Sequence, residues 1–110
     1  MSDWYDASDQ TRVVGAWSGA PIENEENLTL ILGVAREQVE AYGGPVVSGE
    51  DVPDRYILAQ IRQAQNLWAA GRADENGDIG SEGYSYVPRP LDKTIRNIIR
   101  PVQGGIGGGF

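Results

Sequence analysis

The chain has 110 residues, no Cys, no His, 15 Gly and a formal net charge of −7. That length carries one core rather than two. The missing Cys and His remove disulfides, thiolate and imidazole metal sites, thiol catalysis and Ser-His-Asp chemistry. Sixteen acids against nine bases also oppose binding to phosphate backbones, so most enzyme classes and ordinary DNA-binding modules are disfavoured.

Residues 1–10, MSDWYDASDQ, are acidic and lack the basic and apolar regions of a signal peptide. Trp4 and Tyr5 lie too near the terminus for an obvious core. They are expected either to anchor this segment on a neighbouring subunit or to be part of a frayed start. A short helix is expected over 10–17, with Val13, Val14 and Trp17 on one side, and Ser18-Gly19-Ala20-Pro21 breaks it.

A long helix is expected over 25–42. Asn24 suits the N-cap, and Glu25 and Glu26 complement the dipole in the first turn. Leu28, Ile31, Leu32, Ala35, Val39 and Tyr42 recur at helical spacing and form the buried stripe. Gly43-Gly44-Pro45 ends it. This apolar stretch is interrupted by Thr29 and Gly33 and is far short of the ~20 residues of a membrane span.

After a loop over 43–52, a second long helix is expected over 53–71. Asp51 or Val52 would cap it, Pro53 fits its first turn and Asp54 favours the dipole. Its apolar positions are Ile57, Ile61, Ala64 and Trp68, flanked by Leu58 and Leu67, with Ile57, Ile61 and Ala64 as core. Arg72 follows the last turn. Tyr56 and Trp68 are read as core or subunit contact.

Residues 74–83 read as a loop. Tyr84-Ser85-Tyr86-Val87 alternates, as a short strand or an extended arm. Pro88 and Pro90 hold an extended run before a short helix over 91–99, with Leu91, Ile95, Ile98 and Ile99 apolar and Lys93 and Arg96 basic, followed by Arg100. The last seven residues, GGIGGGF, hold five Gly and read as a flexible tail. The expected architecture is all-α: a small bundle of two long and two short helices over 1–102, with a tail over 103–110.

Charge is divided along the chain. Residues 1–51 hold ten acids and two bases, Arg12 and Arg36, for a net −8; residues 52–110 are net +1. Such a molecule suits head-to-tail stacking or ring packing, though ordinary surface variation gives the same numbers.

No constellation is built for chemistry. Asp74, Asn76 and Asp78 match the first donor positions of a calcium loop, but Ile79 stands where Gly is required and Ser85 where Glu is required. A solvated turn accounts for them. The terminal glycines precede no helix, so they are not a phosphate loop. Glu37 and Glu40, like Asp3, Asp6 and Asp9, read as solvated carboxylates. No metal, cofactor or catalytic site is expected. Arg89, Lys93, Arg96 and Arg100 form a basic patch, suited to the acidic half of another subunit or to an acidic partner. Ile106 and Phe110 are isolated apolar anchors within the tail.

The stretches LTLILGVAREQVEAYG, VPDRYILAQIRQAQNLWAAGR and YVPRPLDKTIRNIIRP, in that order, resemble the head-to-tail adaptor (head–tail connector) proteins of long-tailed bacteriophages, especially those of actinobacteria. The resemblance covers residues 11–102. Its specific content is AREQV-x-x-Y, then VP-x-RY-x-LAQI-x-QA-x-x-LW, then PLD-x-x-I-x-x-x-IRP. The Gly-rich ending departs from the basic endings of many relatives.

The resemblance implies a non-enzymatic virion protein, made in the host cytoplasm and located at the neck. It would form a ring, commonly dodecameric, beneath the portal protein. The ring would prolong the DNA channel without sequence-specific binding and receive a stopper or head-completion protein at its other end. The C-terminal segment would meet the portal. The alternative reading is an acidic helical protein that binds a basic partner or mimics DNA to inhibit a nucleic-acid enzyme.

Overall fold

In a computed structural model of the chain, residues 3–47, 49–72 and 86–100 are described. They form four helices: α1 (Gln10–Ala16), α2 (Glu25–Gly43), α3 (Asp54–Arg72) and α4 (Lys93–Ile99). No strand occurs among the described residues, and Tyr86 and Val87 are irregular. The expected loop over 74–83, the Asp74–Asp78 donors, Tyr84, Ser85, and the tail with Ile106 and Phe110 lie outside the described residues.

Helix starts are set by local hydrogen bonds. The Asp9 carboxylate accepts the Arg12 amide at 3.3 Å, and the Asp92 carboxylate accepts the Ile95 amide at 2.8 Å. Each satisfies a first-turn donor that no helical carbonyl reaches. Asp92 thereby starts α4 two residues later than expected, leaving Leu91 ahead of the helix, where it is buried.

Asn24 stands at the cap of α2, yet its side chain makes no capping bond; its carbonyl accepts the Leu28 amide at 3.0 Å. Pro53 lies ahead of α3 rather than in its first turn. Its carbonyl accepts the Tyr56 and Ile57 amides at 2.9 and 3.2 Å, while Asp51 is exposed and Val52 is buried in the core. At the far end of α2, Gly44 turns the chain at φ 105°, and its amide donates to the Glu40 carbonyl. A side chain rarely adopts that φ.

Helix α3 is central. It packs on α2 along one side and on α4 along another. Arg55, near its start, donates to the Ile99 carbonyl at 2.9 Å, and Asn66, near its end, donates to Asp92 at 3.1 Å, so α4 runs antiparallel to it. Two apolar clusters fill the interior. One joins Val13 of α1 to Leu28, Ile31, Leu32 and Ala35 of α2 and to Ile61, Ala64 and Leu67 of α3. The other gathers Trp4, Val39, Val52, Tyr56, Ile57 and Ala59 with Leu91, Ile95 and Ile99. The eight residues read as core, Leu28, Ile31, Leu32, Ala35, Val39, Ile57, Ile61 and Ala64, are all buried.

Two sequence expectations, for Tyr42 and Trp4, are corrected. Trp68, read as core or subunit contact, is half-buried against the first cluster beside fully buried Leu67. With α2 and α4 both covering α3, the buried arc extends beyond Ile57, Ile61 and Ala64 to Tyr56, Ala59, Gln60, Gln63, Leu67 and Ala70. Tyr42, expected to close the α2 stripe, is 37% exposed. Trp4, expected on a neighbour or in a frayed start, is buried against its own chain with its ring 6.0 Å from that of Tyr56. The apolar side chains Ile95 and Ile99 of α4 are buried in the second cluster of the same chain.

Candidate interaction surface

Two glutamines of α3, neither singled out from the sequence, fix the segments that flank the helix pair. Gln60 pairs with the backbone of Tyr5 in both directions, accepting its amide at 2.7 Å and donating to its carbonyl at 3.1 Å, and also donates to the Leu32 carbonyl at 3.1 Å. The side-chain amide thus treats an extended peptide as a β-strand neighbour would. Arg12 grips the same segment from α1, donating to the Asp3 and Trp4 carbonyls at 2.6 and 2.9 Å with its guanidinium 4.3 Å from the Tyr5 ring centre. Arg36 stacks over Trp4 at 5.1 Å. Beyond this strap, the Ser8 amide and hydroxyl donate to Asp6 and hold its exposed carboxyl below the usual carboxylate range.

Gln63 donates to Gln38 of α2 and to the Arg89 carbonyl, each at 2.9 Å, and Gln38 donates to that same carbonyl at 2.7 Å. Gln63 Oε1 is buried with no hydrogen-bond partner among the described residues. The sequence signal for both glutamines is two polar positions three residues apart within the apolar arc of α3. A buried amide must find partners, and here they come from the N-terminal strap, α2 and the approach to α4.

The residues expected at a portal or subunit contact divide between two ends of the unit. Trp68 and Arg72 lie at the end of α3, with the Arg72 guanidinium 5.5 Å from the Trp68 ring centre. The antiparallel course of α4 brings Arg89 and Lys93 towards that end. Arg100 lies at the opposite end, stacked 5.3 Å over Tyr42. Arg96 turns back along its own segment, donating to the Leu91 carbonyl at 3.3 Å. All four basic residues of the segment are exposed, and none has a carboxylate partner among the described residues. Ile106 and Phe110 lie outside the described residues.

Between the end of α3 and the approach to α4 is an open cleft of about 500 Å³, lined by Asn66, Ala69, Ala70, Arg89, Pro90 and Asp92. Among the described lining residues Asp92 is the one carboxylate, and that group is already committed to the Ile95 amide and to Asn66. The lining therefore offers contact area and a guanidinium rather than a reacting pair. Among the described residues no group of three or more carboxylates is placed to hold a metal ion, and no helix is long and apolar enough to cross a membrane. Compared with protein-family models, with curated proteins and with solved structures, the chain finds no match.

Proposed function

We propose that the chain is a virion structural protein, the head-to-tail adaptor of a long-tailed phage. Copies form a ring beneath the portal, prolong the DNA channel and receive a stopper or head-completion protein at the other end. The observation that carries this reading is where the three stretches of the resemblance meet. Gln38 comes from AREQV and Gln63 from LAQI-x-QA. Arg89 stands immediately before PLD. Together they form one hydrogen-bonded node. The residue pattern that resembles the adaptors is thus also what locks α2, α3 and the approach to α4 into one unit, as a repeating ring subunit requires.

Charge agrees with that role. A wall with excess carboxylates repels phosphates and lets DNA pass without sticking, and exposed Arg89, Lys93 and Arg96 leave a basic end for an acidic partner surface. The reading is tested by native mass spectrometry of the chain with purified portal rings of the same virion. Capture of several copies per portal ring is the expected result. No capture by the portal, with stable small complexes on a DNA-handling enzyme instead, would replace the adaptor by the DNA-mimic reading.

A further inference from the structure

The outward faces of the two long helices carry opposite charge around the same apolar centre. On α2, Glu26, Leu30 and Glu37 stand four and seven residues apart, on the side away from buried Leu28, Ile31, Leu32, Ala35 and Val39. On α3, Arg55, Leu58 and Arg62 stand three and four apart on the helix side away from the buried arc, Arg55 with one guanidinium nitrogen held by the Ile99 carbonyl. All six are exposed, with the leucines at 43% and 44%. Glu26, Glu37 and Arg62 have no ion-pair partner among the described residues. One helical turn from Leu30 and Glu37, Gly33 leaves a notch: a Cβ there would meet nothing within 4 Å.

We propose that these two faces meet between copies, the Arg55–Leu58–Arg62 ridge of one chain seating on the Glu26–Leu30–Glu37 face of the next. This deepens the adaptor reading, on which it rests, by naming the surfaces that would join neighbours in the ring. The occupant is a second copy because the two faces are complementary to each other and not to themselves. A two-fold contact of α2 on α2 sets carboxylate against carboxylate, and α3 on α3 sets guanidinium against guanidinium. Opposite faces on one chain give a head-to-tail contact, which closes into a ring when the rotation per copy divides the circle. The leucines leave water at the centre. The flanking charges set register and exclude the like-on-like pairing. In this arrangement the notch at Gly33 gives the incoming Leu58 room beside Leu30.

The natural chain has no Cys, which makes disulfide trapping clean. With Leu30→Cys and Leu58→Cys in the same chain, oxidation is expected to give a ladder of covalent multimers, while either single variant stays unlinked or stops at a dimer. Adding Arg62→Glu should cut the ladder by about tenfold, the scale of reversing one charge in a close pair. Adding Glu37→Arg as well should restore it, which a misfolded Arg62→Glu chain would not permit. No ladder, equal linking by the single variants, or a ladder indifferent to Arg62→Glu would overturn the contact. Portal capture by the unsubstituted chain separates the two readings. A missing ladder with capture intact removes this contact and leaves the adaptor. A ladder without capture keeps the contact and counts against the adaptor.

Discussion

Gly33 and Gly43 share α2, yet a methyl group would meet different surroundings at each. At Gly33 a Cβ finds nothing within 4 Å, so Gly33→Ala removes backbone freedom from the unfolded chain without a clash. It is expected to stabilise by about 0.5–1 kcal/mol. At Gly43 the same Cβ would lie 2.5 Å from Ile99 Cγ2 and 2.7 Å from the Tyr56 hydroxyl. That hydroxyl is itself fixed, donating to the Gly44 carbonyl at 3.0 Å, and Ile99 is fully buried, so neither neighbour yields easily. Gly43→Ala is expected to destabilise by about 1–3 kcal/mol despite the better helix propensity of Ala. Urea unfolding of the two variants checks the pair; equal midpoints would show that α2 and α4 do not approach closely at Gly43.

Capping separates helix ends that look alike in sequence. Asn24 and Asp92 both stand at N-caps, but only Asp92 bonds a first-turn amide, and it holds Asn66 as well. Asp92→Ala is expected to cost about 1 kcal/mol or somewhat more, and Asn24→Ala a few tenths at most; thermal or urea unfolding resolves the two. The difference has a sequence-local part and a tertiary part. The stripe of α2 was readable because Leu28, Ile31, Leu32, Ala35 and Val39 all fall on one face at helical period. The arc of α3 was readable only in part: Ile57, Ile61 and Ala64 are buried as expected, but contact with both α2 and α4 also buries others, including polar Gln60 and Gln63. Their partners Tyr5, Leu32, Gln38 and Arg89 lie 25 to 55 residues away in the chain. No local pattern announces such pairing. Tyr42 failed the stripe for a related reason: at that end of α2 Tyr56 and Ile99 occupy the space over Gly43, and Tyr42 turns outward under Arg100. Trp4 was misread because the groups that hold its segment, Gln60, Arg12 and Arg36, come from three different helices.

Across the whole molecule, the charge division read from the sequence takes on a spatial meaning. Described acids of residues 1–51 spread over the strap and the outer side of α2, and described bases of the later half over α3 and the segment of α4, so the proposed contact surfaces were legible as types of residue but not as places. The basic set expected to act together is divided between two ends of the unit, whereas Arg55 and Arg62, not named as contact residues, share one face with Leu58. Among the described residues Arg36 and Glu40 form an ion pair, 3.7 Å apart on the exposed side of α2, a geometry worth about 0.3–0.5 kcal/mol. At net −7 self-repulsion within a single copy is expected to outweigh pairing, while the proposed contact between copies would draw on the attraction of unlike faces. Salt acts on these in opposite directions. Raising sodium chloride from about 0.01 to 1 M shortens the Debye length from about 30 to 3 Å. The single chain, diluted, is expected to become more stable by less than ~1 kcal/mol, read as a higher urea midpoint. The Leu30→Cys, Leu58→Cys ladder is expected to shrink over the same range. A urea midpoint that falls with salt would mean that attraction between the acidic and basic halves outweighs repulsion within the chain. A ladder that grows with salt would mean that the charges on the two faces do not draw them together.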